Sequence, residues 1–120
     1  MKKEEVILNK GLEFAMEFGA NWLKPIQERL AMKFPDLSED ELNNYNEACR
    51  AAMFGGQDFV YKTLEATAEK REKITGGELK ARLKNFLAEK YPWTDPSNTD
   101  KLYSQAVYYA WKDGLHDCLV

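Results

Sequence analysis

The sequence predicts an all-α fold, a compact bundle of about five helices built from two duplicated αα-hairpins with internal pseudo-two-fold symmetry. Three observations lead to this prediction. Val and Ile together number only seven of 120 residues, whereas strands favour β-branched side chains. Apolar residues recur four positions apart, which places them on one face of a helix. A row of small residues also occurs twice at the same spacing, as two equivalent helices would require.

The small-residue row has the spacing Y-x2-A-x3-A-x3-G. Its copies are Tyr45, Ala48, Ala52 and Gly56 and, 58 residues later, Tyr103, Ala106, Ala110 and Gly114. A helix face without bulky side chains lets another backbone approach closely, and close packing gains dispersion contacts. We therefore expect these two helices to be close neighbours at the centre of the bundle.

An apolar stripe precedes each small-residue row at an offset of 57 residues. The first stripe is Trp22, Ile26, Leu30 and Phe34, and the second is Leu79, Leu83, Leu87 and Tyr91. Each stripe ends in an aromatic residue followed by a proline, Pro35 or Pro92. The repeats therefore span about residues 19–60 and 76–118 within one domain, 1–120.

The predicted helices, in order, cover residues 3–19, 22–34, 39–73, 77–91 and 97–117. The first runs to the break at Gly19-Ala20, and Pro25 predicts a start or kink early in the second. Capping boxes at 38–41 and 75–78 begin the third and fourth, and Asp95-Pro96 begins the fifth. The second and fourth end before Pro35 and Pro92, because a residue preceding proline leaves the α region. A distortion of the third helix at Gly55-Gly56 is left open.

Charge is unevenly distributed along the chain. There are 17 Lys and Arg and 20 Asp and Glu, giving a net charge of −3. The acidic segment is Asp36, Glu39, Asp40, Glu41 and Glu47, and the basic one is Lys70, Arg71, Lys73, Lys80, Arg82 and Lys84. Either these are ordinary solvated helix faces, or they steer a protein partner by charge. Nucleic acid is not an expected partner, because phosphate binding needs a net basic face.

Cysteine content and hydropathy suggest a cytoplasmic protein. Cys49 and Cys118 are predicted to be small buried apolar residues in a reducing compartment, although a disulfide between them is left open. Val6-Ile7-Leu8 is too short for a signal peptide, and no stretch approaches the ~20 apolar residues that span a bilayer. A membrane is therefore not an expected partner.

Aromatic residues are the candidate binding residues. On a helical wheel the last helix is apolar over a wide arc, with a polar wedge at Lys101, Gln105, Lys112 and His116. Either it is a central helix, or it offers aromatic side chains to a partner. Two further aromatic residues, Phe54 and Tyr61, lie on the polar face of the third helix, and Trp93 lies in the Tyr-Pro-Trp turn. The candidates are Phe54, Tyr61, Trp93, Tyr108, Tyr109 and Trp111.

No catalytic constellation is recognisable, so the sequence predicts neither an enzyme nor a bound metal or cofactor. His116 is the only histidine, and a metal site would need further convergent ligands. The glycine pairs lack the frames that cradle phosphates. The predicted function is protein–protein interaction, as an adaptor, a regulator or an immunity-type inhibitor. The alternative is a small-molecule binder with an aromatic pocket between the two halves. Homodimerisation through the last helix is left open.

Overall fold

The computed structural model describes residues 2–17, 25–115 and 117–120, and within these ranges the secondary structure is helical. The helices are α1 (Lys3–Ala15), α2 (Gln27–Lys33), α3 (Glu39–Glu69), α4 (Gly76–Lys90) and α5 (Pro96–Lys112). This confirms the all-α class and the count of five helices for the described part of the chain. None of these helices has the length and apolar character that crossing a membrane would require.

The helix starts follow the predicted caps. Ser38 and Glu41 form a reciprocal capping box at the start of α3, with each side chain bonded to the other residue's backbone N–H. At the start of α4 Thr75 accepts a hydrogen bond from the Glu78 N–H, which is one half of the predicted capping box, and the Glu78 carboxylate accepts from Arg82 instead. Asp95 accepts one from the Asn98 N–H, with proline as the first residue of α5.

The two aromatic–proline turns share one backbone geometry. Phe34 ends α2 with φ −130° and ψ 77°, and Tyr91 ends α4 with φ −138° and ψ 65°. Each donates its backbone N–H to the carbonyl four residues earlier, over 2.7 Å. The proline that follows explains both helix ends, since the preceding residue is excluded from the α region. Pro25 comes just before the Ile26 N-cap of α2, and the rest of the predicted kink, at 23–24, lies outside the described residues.

Helix α3 is the centre of the bundle, and its contact with α5 is the most extensive between any two described helices. The small-residue rows predicted that these two helices are close neighbours. Ala52, Ala106 and Ala110 are buried. At Gly56 the backbone of α3 lies so close to Leu102 that an added Cβ would be 2.5 Å from the leucine Cδ2. Helix α3 continues through Gly55 and Gly56 without a break.

Gly114 serves a different purpose from the one that the repeat suggests. Helix α5 ends at Lys112, five residues earlier than predicted, and Gly114 lies beyond it with φ +80°. The N–H groups of Gly114 and Leu115 bond back to Trp111 and Ala110 over 3.0 and 2.9 Å, which is a Schellman motif. A Cβ at Gly114 would meet nothing within 4 Å. The glycine is therefore required for its left-handed conformation and not for close packing.

The last residues close the bundle through a contact that the sequence did not predict. Ile74, in the α3–α4 loop, pairs with Leu119 in an isolated parallel β-bridge. The Ile74 N–H donates to the Cys118 carbonyl over 2.8 Å, and the Val120 N–H donates to the Ile74 carbonyl over 2.9 Å. Cys118 is buried, as predicted, and lies in this tail beyond the end of α5.

The two cysteines are buried and free, so no disulfide joins them. The Cys49 thiol donates to the carbonyl of Leu8 over 3.2 Å, and the Cys118 thiol approaches the carbonyl of Leu64 at 3.5 Å. Residues 49 and 64 of α3 are roughly 22 Å apart at 1.5 Å of helical rise per residue. The two thiols therefore lie at different levels of the bundle.

A buried amide network fixes α1 against the turn that precedes α5. The Asn9 amide nitrogen donates to the carbonyls of Glu5 and Trp93 over 2.9 and 2.7 Å. Its oxygen accepts from the Asp95 N–H and from the side chain of Asn98 over 2.9 and 3.0 Å. Both asparagines are buried. Satisfied buried polar groups specify a unique arrangement, because any other packing would leave them unpaired.

Candidate functional site

Two exposed aromatic side chains lie together on one face of α5. Trp111 is 55% exposed and Tyr108 is 45% exposed. Their rings are stacked, with centroids 6.3 Å apart and planes at 30°. Together with Lys101 and Ser104, which are also exposed, they form a continuous stripe along the helix. We call these four residues the α5 stripe.

Two neighbouring side chains support the ring of Tyr108. The Lys112 ammonium lies 5.4 Å from its centroid, within the range of a cation–π interaction. The ring of Tyr109 meets it edge to face at 5.7 Å. Tyr109 is half-buried, and this burial raises the pKa of its phenol. Tyr109 therefore keeps a neutral hydroxyl at physiological pH.

The remaining predicted aromatic residues do not join the α5 stripe. Phe54 is 48% exposed on α3. Tyr61 is half-buried on α3, and the nearby Asp113 carboxylate raises the pKa of its phenol. Trp93 is half-buried, with its ring edge to face against Tyr91 at 6.4 Å. Since the Trp93 carbonyl is also held by the buried amide network, this turn has the character of a rigid cap on the core.

A groove of about 780 Å³ lies beside the stripe, between the end of α1 and α5. Met16 and Gln105, both buried, and the exposed Tyr108 contribute to its walls. The charged residues along it are Glu13, Glu17, Asp100 and Lys101. The groove is open to solvent, so it resembles a surface channel more than an enclosed ligand cavity.

The carboxylates of this groove are already paired with cations. Glu17 lies 2.9 Å from Arg29, which also donates to the Phe14 carbonyl near the end of α1. Glu13 lies 3.5 Å from Lys10. Asp100 pairs with Lys80 of α4. The groove therefore does not present a strongly negative field, and its binding character depends on the aromatic and apolar surface beside it.

Gln105 is the main correction to the predicted polar wedge of the last helix. It is buried, its amide donates to the Met16 carbonyl over 3.0 Å, and its oxygen accepts from Gln57 over 2.7 Å. The carbonyls at a helix C-terminus lack partners within the helix, so Gln105 caps α1 while Gln57 connects it to α3. A helical wheel gives no sign of this role. Lys101 and Lys112 are exposed as predicted, and His116 lies outside the described residues.

The described residues do not bring together three His, Cys, Asp or Glu side chains that could hold a metal ion. Burial raises the pKa of the Cys49 thiol to about 12, so at neutral pH this group is a protonated thiol and not a nucleophilic thiolate. Comparison of the chain with protein-family models, with curated proteins and with solved structures finds no match.

Proposed function

We propose that the protein acts in the cytoplasm as a non-enzymatic binding protein, and that it contacts another protein through the α5 stripe. The supporting observation is the stacked pair of Tyr108 and Trp111, about half of whose surface is exposed. Covering a large aromatic side chain lowers the free energy of the complex, and Trp and Tyr are enriched among residues that dominate binding energy. An adaptor, a regulator or an immunity-type inhibitor would use such a surface.

The stripe has features that suit protein recognition. Its rings lie on a helix, which holds them in a fixed relation, so little side-chain entropy is lost on binding. Tyr108 keeps a hydroxyl for hydrogen bonding at the rim, and Lys101 adds a cation at the other end of the stripe. The adjacent groove extends the contact surface toward Met16 on α1. A partner helix or extended segment fits an open channel better than a small molecule does.

The groove also favours the alternative function, small-molecule binding. Its volume is within the range of ligand pockets, and Met16, Gln105 and Tyr108 supply the mixture of apolar and polar groups that such pockets use. Against it, one aromatic ring lines the groove among the described residues, where a pocket between the halves would be lined by several. Protein binding is therefore the function that we favour.

We also propose that the bundle descends from a duplicated αα-hairpin. The matching backbone angles at Phe34 and Tyr91 support this origin. So does the hydrogen bond that each of these residues donates from its backbone N–H to the carbonyl four residues earlier. At the offset of 58, Trp111 corresponds to the buried Met53 and Tyr108 to Arg50. The repeat itself therefore does not require the aromatic pair, which is consistent with a function that only the second copy acquired.

The duplication can be tested by exchanging the turns. Replacing residues 34–38 by the sequence of residues 91–95 should leave the free energy of unfolding within about 1 kcal/mol of the original value if the turns are equivalent. A much larger loss in urea denaturation would show that the two turns are not interchangeable and would remove this support for the duplication.

The test of protein binding is affinity capture from cells of the source organism, followed by calorimetry with the recovered protein. The full chain should recover one stoichiometric partner. The double variant Tyr108→Ser and Trp111→Ser should lose it, with an affinity reduced at least about 100-fold if both rings are hot spots. Met32→Ser is the matched control, because Met32 is 82% exposed on α2. Recovery of no partner, or equal binding by the double variant, would refute the proposal. Sedimentation of the same variants reports whether the partner is a second copy.

A further inference from the structure

A second surface differs in character from the α5 stripe. The C-terminal half of α3, the loop that follows it and the middle of α4 enclose a groove of about 510 Å³. Its charged residues are four cations and two carboxylates, in a chain whose net charge is −3. We call it the basic groove, and its cations are Lys62, Lys70, Lys73 and Arg82.

Aromatic and aliphatic side chains line the basic groove between these cations. Phe59 and Phe86 are stacked with ring centroids 4.6 Å apart and planes at 18°. Both are half-buried, so part of each ring is accessible from the groove. Ile74 adds an aliphatic side chain at one end. The groove can therefore receive an apolar side chain between flanking charges.

The cations are set on ordered backbone. Lys70 is the C-cap of α3, and a Schellman motif follows it, in which the Glu72 N–H donates to the Thr67 carbonyl over 3.1 Å. Lys73 donates to the carbonyl of Asp117 over 2.9 Å, which holds its ammonium beside the C-terminal tail. The groove is thus largely formed before any ligand arrives, and preorganisation lowers the cost of binding.

Asp58 and Glu72 line the basic groove and Glu78 lies at its edge, so these three carboxylates leave a net charge of +1 against its four cations. Asp58 lies 3.0 Å from Lys62, and Glu78 lies 2.9 Å from Arg82. Both pairs are solvent-exposed, with side-chain exposures between 51% and 71%, and exposed ion pairs are weak. An incoming carboxylate can therefore compete for either cation, while Lys70 and Lys73 attract it from the other end.

We infer that the basic groove binds an acidic segment of a partner protein that carries a Phe or Leu side chain between its carboxylates. Charge complementarity selects the acidic segment, and the Phe59–Phe86 stack selects the apolar side chain. Nucleic acid fits less well, because two carboxylates line the groove and the chain is acidic overall.

This inference is independent of the α5 stripe and is tested separately, with defined probes and the full chain. The main probe is the peptide Glu-Asp-Glu-Phe-Glu-Asp-Leu-Glu, titrated into 15N-labelled protein and followed by amide chemical shifts. The shifts should change at residues 59–74 and 82–86. Affinity should fall several-fold, roughly five-fold or more, between 50 and 300 mM salt. A peptide with Ser in place of Phe and Leu should bind at least about five-fold more weakly, because it cannot cover the aromatic stack.

Charge-reversal variants locate the site. Lys70→Glu with Lys73→Glu should weaken binding at least about ten-fold. The matched control is Lys33→Glu with Lys90→Glu, two exposed lysines in the last turns of α2 and α4, which changes the net charge equally. Thermal melting of both variants checks that they are folded. No shift changes in the groove, equal weakening by the control, or tighter binding of a dT20 oligonucleotide than of the peptide would each overturn the inference.

Discussion

The thiol of Cys49 occupies the space that a side chain at Gly11 would need. A Cβ added to Gly11 would lie 2.6 Å from the Cys49 sulfur, and the same sulfur donates to the Leu8 carbonyl over 3.2 Å. Glycine in the middle of α1 therefore has a packing reason. It lets α1 approach α3 closely enough for the thiol to reach the α1 backbone.

Substitution of Gly11 by Ala should destabilise the protein. Overpacking against Cys49 costs about 1–3 kcal/mol, which outweighs the gain of up to about 1 kcal/mol in helix propensity. Urea denaturation measures the net loss. Gly77→Ala is the matched control, because a Cβ there meets nothing within 4 Å, and it should be neutral or slightly stabilising. The cost at Gly11 should shrink in a Cys49→Ala background. An unchanged cost there would contradict the proposed contact.

The buried amide network predicts a large effect at Asn9. Asn9→Leu removes the partners of the Trp93 carbonyl and the Asp95 N–H, and leaving buried polar groups unpaired should cost about 2–3 kcal/mol. Chemical denaturation measures this loss. Asn44→Leu, at an exposed position of α3, should change stability by less than about 0.5 kcal/mol. Similar losses in the two variants would show that the network contributes little.

Burial of the Cys49 thiol predicts a pH dependence of stability. Its pKa rises from 9.0 to about 12 in the folded protein, so the unfolded chain loses this proton first as the pH rises. The stabilisation of the folded state by the neutral Cys49 thiol is complete below pH 9. Above pH 9 the free energy of unfolding falls by up to about 1.4 kcal/mol per pH unit until about pH 12. Between pH 8 and 10.5 the wild type should lose up to about 2 kcal/mol more than Cys49→Ala does. Equal losses in urea denaturation would contradict the raised pKa.

Arg71 has a left-handed backbone, with φ 57°, at the end of α3, where glycine is the usual residue. Arg71→Gly should therefore raise the free energy of unfolding by about 0.5–1 kcal/mol, which thermal denaturation would register as an increase of a few degrees. Lys70→Gly is the control, because Lys70 has an ordinary helical φ of −80° and gains nothing from glycine. If both variants are equally destabilised, the strain at Arg71 is negligible.

Local signals predicted the starts of α3, α4 and α5 and the ends of α2 and α4 to within one residue, whereas α1, α3 and α5 end four or five residues earlier than predicted. Ser38, Thr75 and Asp95 begin their helices as expected, because a capping side chain needs only its own first turn. Pro35 and Pro92 fix two helix ends by a steric effect on one neighbouring residue. Such signals involve a few adjacent residues and so can be recognised in the sequence alone.

Long-range partners were the part that the sequence could not reveal. Gln105 was assigned to a solvent-facing wedge because helical periodicity does not show that the end of α1 needs a hydrogen-bond donor there. The pairing of Ile74 with Leu119 had no local signal either. Gly56 and Gly114 align in the predicted repeat, yet one permits close packing and the other a left-handed turn. For the candidate site, sequence identified the aromatic residues of α5, but their mutual stacking required the structure.

The bridge between Ile74 and Leu119 also constrains when the bundle can be completed during synthesis. Helices α1 to α3 precede Ile74 and can associate while the rest of the chain is still being translated. The loop that follows α3 must wait for its hydrogen-bonding partners until residues 118–120 have emerged from the ribosome. Until then the Ile74 side chain and its backbone polar groups lack these partners, and chaperones that bind nascent apolar segments can reach it.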